Sequence, residues 1–381
     1  MRTVLFSGPG GAGSTTLAAS AAVSAARSGR RTLLLSRQPA PVPGLDEVPG
    51  LTVRRVDAGA ALERWWSDSA AAVADALPQL TLPPASSVVP LPGTGELALL
   101  AELAAAEADL VVVDAGPLEA VTALVGLPAA LRWWRDQLLP PGVRALGAVR
   151  TAAVASGTVR RGPVDAALAV LPLLEGLLAA DRLADPADTA VYLVVPPRPG
   201  VGAAARRAAT ALALHGLRPA AVIARVLPTD GTGPWWVRRA AEQKAALAEV
   251  ADVAPLRQVT EAATAPGDVD AVAALLPDVE PADVASAVAV TERRDGTWQL
   301  VVPLPFVRRS DVTLTRWLDD LVITAAGCRR SVRLDPLLRR CEVTGGRLTE
   351  PGTAAAQLVV RFQPDPELWP ADLLAAEGRT P

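Results

Sequence analysis

Apolar residues fall along this chain in two alternating rhythms that give way to a third in its C-terminal quarter. Short, almost wholly apolar runs (RTVLFS from Arg2, RTLLLS from Arg31, DLVVVDA from Asp109, AVYLVVP from Ala190, AAVIARV from Ala220) alternate with longer alanine-rich stretches of helical periodicity. Strands that are apolar on both faces must be covered on both, so the alternation predicts a doubly wound α/β fold around a mostly parallel sheet. The first helix is expected to open near Ser14 or Thr15 and to close at Gly29, a residue suited to a helix C-terminus. Between about 140 and 189 the helical pattern is broken by SGTVRRGP and DPAD, which predicts a helical insertion. Past about Ala285 come short strands separated by turn residues (TWQLVVPLPF, DVTLTRWLDDLVITAAG, RRSVRLD, AAQLVVRF), the texture of a small all-β domain. The expected division is thus 1–284, 285–363 and a tail, 364–381, long enough for one short helix.

Composition narrows the function classes. A net charge of -3 gives no reason for bulk attraction to nucleic acid or to an anionic membrane. The chain opens on a strand-like segment, has no charged-then-apolar leader and lacks a run near the ~20 apolar residues of a bilayer span, so a cytoplasmic location is expected. Two cysteines, Cys328 and Cys341, and one histidine, His215, argue against a metal centre built from protein side chains alone. Of the 37 basic residues only one, Lys244, is lysine, so drift from lysine should leave arginine behind.

The segment between the first strand and helix, GPGGAG from Gly8 to Gly13, fits G-x-G-x-x-G and raises a dinucleotide-binding reading. The ribose-binding acid of that motif belongs at the end of the second strand, where Ser36, Arg37 and Gln38 stand instead; Arg37 would suit a 2′-phosphate. A phosphate-binding loop uses the following residues as well. Thr15 and Thr16 lie where such a loop places a magnesium-ligating hydroxyl, and Asp114, ending a buried strand, lies where a carboxylate orders the magnesium. An ordinary turn cap is the plainer role open to Asp114.

These segments together resemble the family of the arsenite-pump (ArsA) ATPase and of the ATPase that delivers tail-anchored membrane proteins, whose loop reads K-G-G-V-G-K-T-T. PGGAGSTT, from Pro9 to Thr16, is similar to that loop in register. The segment from Asp114 to Pro140 resembles the family's D-T-A-P-T-G-H switch and the helix after it, and VVPPRPGVG onward to Pro228 resembles its adenine-side half, so the likeness covers about residues 1–280. Val302 to Asp335 and Gly345 to Phe362 resemble the α-crystallin, small-heat-shock-type module carried by some members. The resemblance implies a nucleotide site built from Gly8, Gly10, Gly11, Gly13, Ser14, Thr15, Thr16, Asp114 and Arg225, with magnesium on Thr15 and Asp114 when nucleotide binds. It also implies dimers that sandwich nucleotide between subunits.

The departures from the resembled pattern fall on its chemistry. Pro9 stands in place of the lysine that reaches the partner's phosphates, Ser14 in place of the in-loop lysine, and Gln38 in place of the aspartate that activates water. PLEA from Pro117 replaces the T-G-H of the switch, and Ala224 replaces the adenine-side asparagine. Neither lost lysine became arginine. The expectation is a pseudo-ATPase, inactive alone, with weak or absent ATP or ADP and magnesium. It would be a non-catalytic subunit or chaperone-like scaffold, paired with itself or with a catalytically complete sibling. The alternatives are a working ArsA-type ATPase in anion transport or membrane-protein targeting, its missing cations supplied by a partner or by arginines such as Arg37, and a dinucleotide-dependent oxidoreductase.

Core packing is the plainer role of the tryptophan doublets; the functional alternative, most credible for Trp133 and Trp134, is a surface for a hydrophobic client helix, a membrane protein or another partner. The arginine pairs Arg206–Arg207, Arg238–Arg239 and Arg329–Arg330 are expected on solvated faces. His215, before Gly216, is expected as a cation at a helix C-terminus.

Overall fold

A computed structural model of the chain describes residues 1–76, 81–156, 171–178, 183–276, 286–294 and 297–369. Of the expected tail, 364–381, residues 370–381 lie outside the described residues, as do most of the SGTVRRGP break and residues 277–285.

Seven parallel strands form the central sheet: β1 (Arg2–Ser7), β2 (Thr32–Ser36), β3 (Leu51–Arg55), β4 (Leu110–Asp114), β5 (Thr189–Val195), β6 (Pro219–Val226) and β7 (Leu256–Thr260). Their order is β3-β2-β4-β1-β5-β6-β7. Alternate side chains of the inner strands enter two separate cores. Leu5, Val111 and Val113 belong to one face, and Val4, Phe6 and Val112 to the other. Double coverage is why β1, β2, β4 and β5 are almost unbrokenly apolar. On the second face lies α1 (Ser14–Arg27), which buries Leu17, Ala18, Ala21 and Ala22. The first face is covered by α2 (Ala58–Ala76), α3 (Thr94–Ala104), α4 (Leu118–Leu138) and, further along the chain, a helix that opens at Val201.

Within the region expected to be a helical insertion lie α5 (Pro141–Ala155) and α6 (Leu171–Leu178). Then follow α7 (Val201–Leu214), α8 (Pro234–Val250) and α9 (Val269–Ala273).

The C-terminal region forms two antiparallel sheets. One is β10 (Thr313–Trp317), β11 (Asp320–Ala325) and β12 (Cys328–Arg333), and the other has the order β13-β14-β9-β8. In the second, β8 is Val290–Arg294, β9 Thr297–Pro303, β13 Cys341–Thr349 and β14 Gln357–Pro364. Four strands escaped the apolar pattern, and all four are edges. β3 and β7 flank the parallel sheet, and β8 and β13 flank the second antiparallel one. An edge strand needs fewer apolar positions: β8, VTERR, is exposed throughout, and β13 carries two glycines and a bulge.

The β domain is docked on the α/β domain. Leu214, the last residue of α7, is fully buried in the β-domain core. Thr210 Oγ1 donates to the Pro305 carbonyl at 2.5 Å, Arg330 Nη1 donates to the Leu214 carbonyl at 2.6 Å, and Arg206 lies 5.5 Å over the Phe306 ring. On α4, Gln137 Oε1 accepts from Trp317 Nε1 at 3.0 Å, and Asp136 pairs with Arg333 at 3.5 Å.

This docking corrects two sequence expectations. Arg330 is spent on the domain contact, and Arg239 is 5% exposed with Nη2 donating to the Pro197 carbonyl at 2.9 Å, so these pairs are not wholly on solvated faces. His215 does end α7, but it is 5% exposed and packs against Gly126 of α4, where a Cβ would stand 2.8 Å from the ring. Burial, and secondarily the Arg330 charge, pull its pKa down to about 4, so the ring is neutral at pH 7. Desolvation outweighs the helix-terminus field.

Neutral His215 links pH to stability. The unfolded chain protonates this ring near pH 6.5 and the folded chain only near 4. Its contribution is therefore complete above pH 6.5 and is lost as the pH falls to about 4, a change of about 3 kcal/mol. Urea unfolding between pH 7.5 and 4 should show His215→Gln with a correspondingly shallower pH slope than the unaltered chain; equal slopes would contradict this.

Candidate nucleotide site

The loop after β1 is shaped by close backbone approaches. A Cβ on Gly8 would sit 2.2 Å from the Val194 carbonyl oxygen of β5, so no other residue fits between β1 and its neighbour. The Gly8 amide donates to the Gly116 carbonyl at 3.1 Å and Ser7 Oγ to the same oxygen at 2.9 Å, tying the base of the loop to the turn after β4. The Ala12 amide donates to the Pro9 carbonyl at 3.0 Å, and Gly11 and Gly13 take φ of +80° and +90°. At Gly10 and Gly11 a Cβ would meet nothing within 4 Å, so the concave side is open. The helix α1 starts without a side-chain cap and without an acidic residue in its first turn, which leaves its N-terminal amides and dipole to an anion.

Asp114 sits at the C-terminal end of β4, 2% exposed. Its Oδ2 accepts from Thr15 Oγ1 at 2.6 Å and from Ser36 Oγ at 3.1 Å, and its Oδ1 accepts from the Gly116 amide at 3.3 Å. Asp114 thus caps the turn after β4 and also faces the loop hydroxyl. A hydroxyl and a carboxylate in contact form a hard-oxygen donor set that fits magnesium, with Thr15 and Asp114 the residues to hold it. Thr16 stands next on α1.

Positive charge is placed around this cradle rather than in it. Ser14 is half-buried at the start of α1 and carries only a hydroxyl. Arg225, on β6, lies against the loop: its Nη1 is 2.3 Å from where a Gly13 Cβ would be, and its buried Nε has no hydrogen-bond partner among the described residues. Arg37, just past β2, packs on Gly95 and Gly116 and pairs with Glu96 at 2.9 Å. Gln38 is exposed, its amide donating to Ser36 Oγ at 3.0 Å. Ala224 is fully buried.

Trp133 and Trp134 lie apart from the loop, on α4, in a cleft facing the β10–β11–β12 sheet. Sequence reasoning missed Ser36 and Glu96. Ser36 pairs in register with Asp114 across β2 and β4, a proximity visible only once the strand order is known.

The strand order separates the two loop readings. In the dinucleotide fold the first strand adjoins the second, whereas here β4 lies between β1 and β2. A glycine loop on a central strand, a helix N-terminus without a side-chain cap, and a loop threonine bonded to the carboxylate ending the neighbouring strand define a P-loop-type α/β fold. More particularly, the chain belongs to the anion-transporting ATPase family, which residues 1–276 match, and residues 295–362 match the HSP20-like domain found in ArsA. It is 38% identical to SCO2128 of Streptomyces coelicolor, named as an uncharacterized protein, over 97% of this chain and 99% of that one. It is 30% identical to protein Rv2184c of Mycobacterium tuberculosis over 97% of both. Among the described residues no helix is long and apolar enough to cross a membrane.

Because Asp114 satisfies three donors while almost wholly buried, it should support the fold without any ligand. Asp114→Ala should lower unfolding stability by about 2–3 kcal/mol in nucleotide-free buffer, the amount expected when buried hydroxyls lose their acceptor. Denaturant titration measures this, and an unchanged midpoint would show that the carboxylate is dispensable to the fold.

Proposed function

We propose that this chain is a degenerate ArsA-type subunit that binds MgATP or MgADP weakly or not at all, does not hydrolyse nucleotide alone, and serves as a non-catalytic subunit or chaperone-like scaffold. The observation that carries this reading is Ser14 at the head of α1, the position of the in-loop lysine in the resembled pattern. An ammonium about 4 Å from a phosphate oxygen is worth roughly 4 kcal/mol at an effective dielectric near 20, or about three decades of affinity. A hydroxyl donates one hydrogen bond and neutralises no charge. Phosphoryl transfer rests on positioning and charge neutralisation, so the losses at Pro9 and Gln38 compound that at Ser14. Arg37 does not replace the lysine, because Glu96 already holds it. The partner is a second copy or a family member with both lysines, consistent with a loop that keeps its shape and presents Pro9 where a cross-subunit cation is expected.

One observation favours the second reading, a working ATPase: Arg225 touches the loop at Gly13 and could face a phosphate from there. Calorimetric titration of the purified chain with MgATP separates the two. Heats should be absent or correspond to a Kd near or above the millimolar range, and Ser14→Lys should tighten binding by about 100-fold or more without restoring turnover. Micromolar binding by the unaltered chain, with measurable hydrolysis that Arg225→Met abolishes, would replace the pseudo-ATPase reading with the second.

A further inference from the structure

The cleft between α4 and the β10–β11–β12 sheet is shaped by side-chain parity on both of its walls. In β11 Leu321, Ile323 and Ala325 enter the β-domain core, so Val322 and Thr324 face the other way, toward α4. Strand register sets Thr313 and Thr315 of β10 and Ser331 of β12 beside them. On α4 the first turns are buried against the parallel sheet, and from Gly126 on the helix lines the cleft, with Ala129 and Ala130 keeping its surface low. Short side chains on both walls leave a space of about 690 Å³, within the range of roughly 300–1,000 Å³ in which proteins hold small organic ligands.

The walls are tied to one another at both ends, which fixes their separation. At the C-terminal end of α4, Gln137 Oε1 accepts from Trp317 Nε1 of β10 at 3.0 Å, and Asp136 pairs with Arg333 of β12 at 3.5 Å. At the other end α7 stands between them: the His215 ring packs on Gly126, and the Leu214 carbonyl accepts from Arg330 of β12 at 2.6 Å. Three indoles line the space so held. Trp133 and Trp134 meet edge to face with centroids 5.0 Å apart, and Trp317 comes from the other domain. Trp134 and Trp317 remain 56% and 52% exposed, although tryptophan is highly buried on average, so indole surface from two domains stays uncovered beside one cleft.

Charge narrows the ligand class. No carboxylate is among the described residues that line the cleft. Of its two arginines, Arg330 is engaged at the domain seam, and Arg329 is exposed to solvent with Nε donating to Thr324 Oγ1 at 3.2 Å. An ion entering between the indoles would leave water without a counter-charge committed to it, which costs free energy, whereas an uncharged molecule meets no such cost. We propose that this interdomain cleft is a binding site for an uncharged fused-ring aromatic molecule, its rings against Trp134 and Trp317 and its one polar edge, a hydroxyl or carbonyl, along Thr313 and Thr315. Offset and edge-to-face contacts with indole favour such rings over a flexible chain, which also loses more rotational freedom on binding. A threonine hydroxyl can donate to a carbonyl or accept from a hydroxyl. Because the walls come from both domains, the occupant braces one against the other and raises the stability of the pair by mass action.

Calorimetry of the full chain with 2-naphthol, 2-naphthoate, 2-naphthylmethylamine and 1-decanol at pH 7 tests this. The naphthol should bind saturably at one equivalent, about tenfold or more tighter than each of the other three, and should raise the melting temperature. Ala130→Leu, which fills the space from the helix wall, should abolish that binding while leaving the melting temperature without ligand unchanged, and Trp134→Ala should weaken it about tenfold. No saturable binding of the naphthol, equal binding of the naphthoate, the amine or decanol, or affinity undiminished in both variants would overturn the proposal. Capture of an uncharged apolar helical peptide while the naphthol stays inert would overturn it too and make the cleft a peptide groove. The unaltered chain decides the ligand class even where a variant fails to fold, and none of these readouts depends on whether nucleotide binds.

Discussion

The carboxylate of Asp114 is the point at which three parts of the α/β domain are joined. Through Thr15 it holds α1 and the loop, through Ser36 the end of β2, and through the Gly116 amide the turn that leads into α4. All three contacts are to hydroxyls or an amide, so among the described residues the group is held by hydrogen bonds, without a cation in contact. This explains how the loop keeps its form while lacking the lysine of the resembled pattern. The glycines, the Val194 carbonyl and the Asp114 carboxylate set the backbone path, and none of them depends on a phosphate being present. Shape and charge are separable at such a site: the backbone makes the cradle, whereas cations determine how strongly a polyanion is drawn into it.

The same separation governs what was legible in the sequence. The inner strands, the loop, α1 and the Thr15–Asp114 pair all follow from local pattern, because a strand covered on both faces and a glycine turn leave strong marks. The edge strands β3, β7, β8 and β13 left weak ones, since an edge satisfies half its backbone with solvent and tolerates Arg, Glu and Gly. Ser36 beside Asp114, and Glu96 on Arg37, depend on which strands and helices become neighbours. His215 was misread for a related reason. A histidine at a helix C-terminus suggests a cation, yet the β domain seals that end of α7 and burial prevails over the helix dipole. A local rule fails where a distant segment changes the dielectric.

The domains share buried groups, and this bears on how the β domain can act. Leu214 lies in the β-domain core, Thr210 donates to the Pro305 carbonyl, and the sole histidine is enclosed at the junction. A module held only by a flexible link would bury none of these. Separating the domains would expose Leu214 and break the bonds of Arg330 to the Leu214 carbonyl and of Thr210 to the Pro305 carbonyl, so the β domain is a fixed part of the molecule's architecture.

α4 relates the two sites. It begins at Leu118, directly after the turn that caps Asp114, and after 21 residues ends beside the β domain, where Asp136 and Gln137 contact Arg333 and Trp317. At 1.5 Å per residue the helix is about 30 Å long, and its second half, from Gly126 on, lines the interdomain cleft. Its first turns bury Leu118, Val121, Leu124 and Val125 against the sheet, so that end moves only with the sheet and the Asp114 turn. Its far end carries Trp133 and Trp134 into the cleft. Between them Gly126 admits the His215 ring and Pro128 interrupts the helix interior, the kind of position at which helices bend. A helix held at one end by the phosphate-loop turn and at the other by the second domain cannot shift at either without loading the other. Among the described residues, α4 is therefore the one helix that packs both on the turn beneath the phosphate loop and on the second domain.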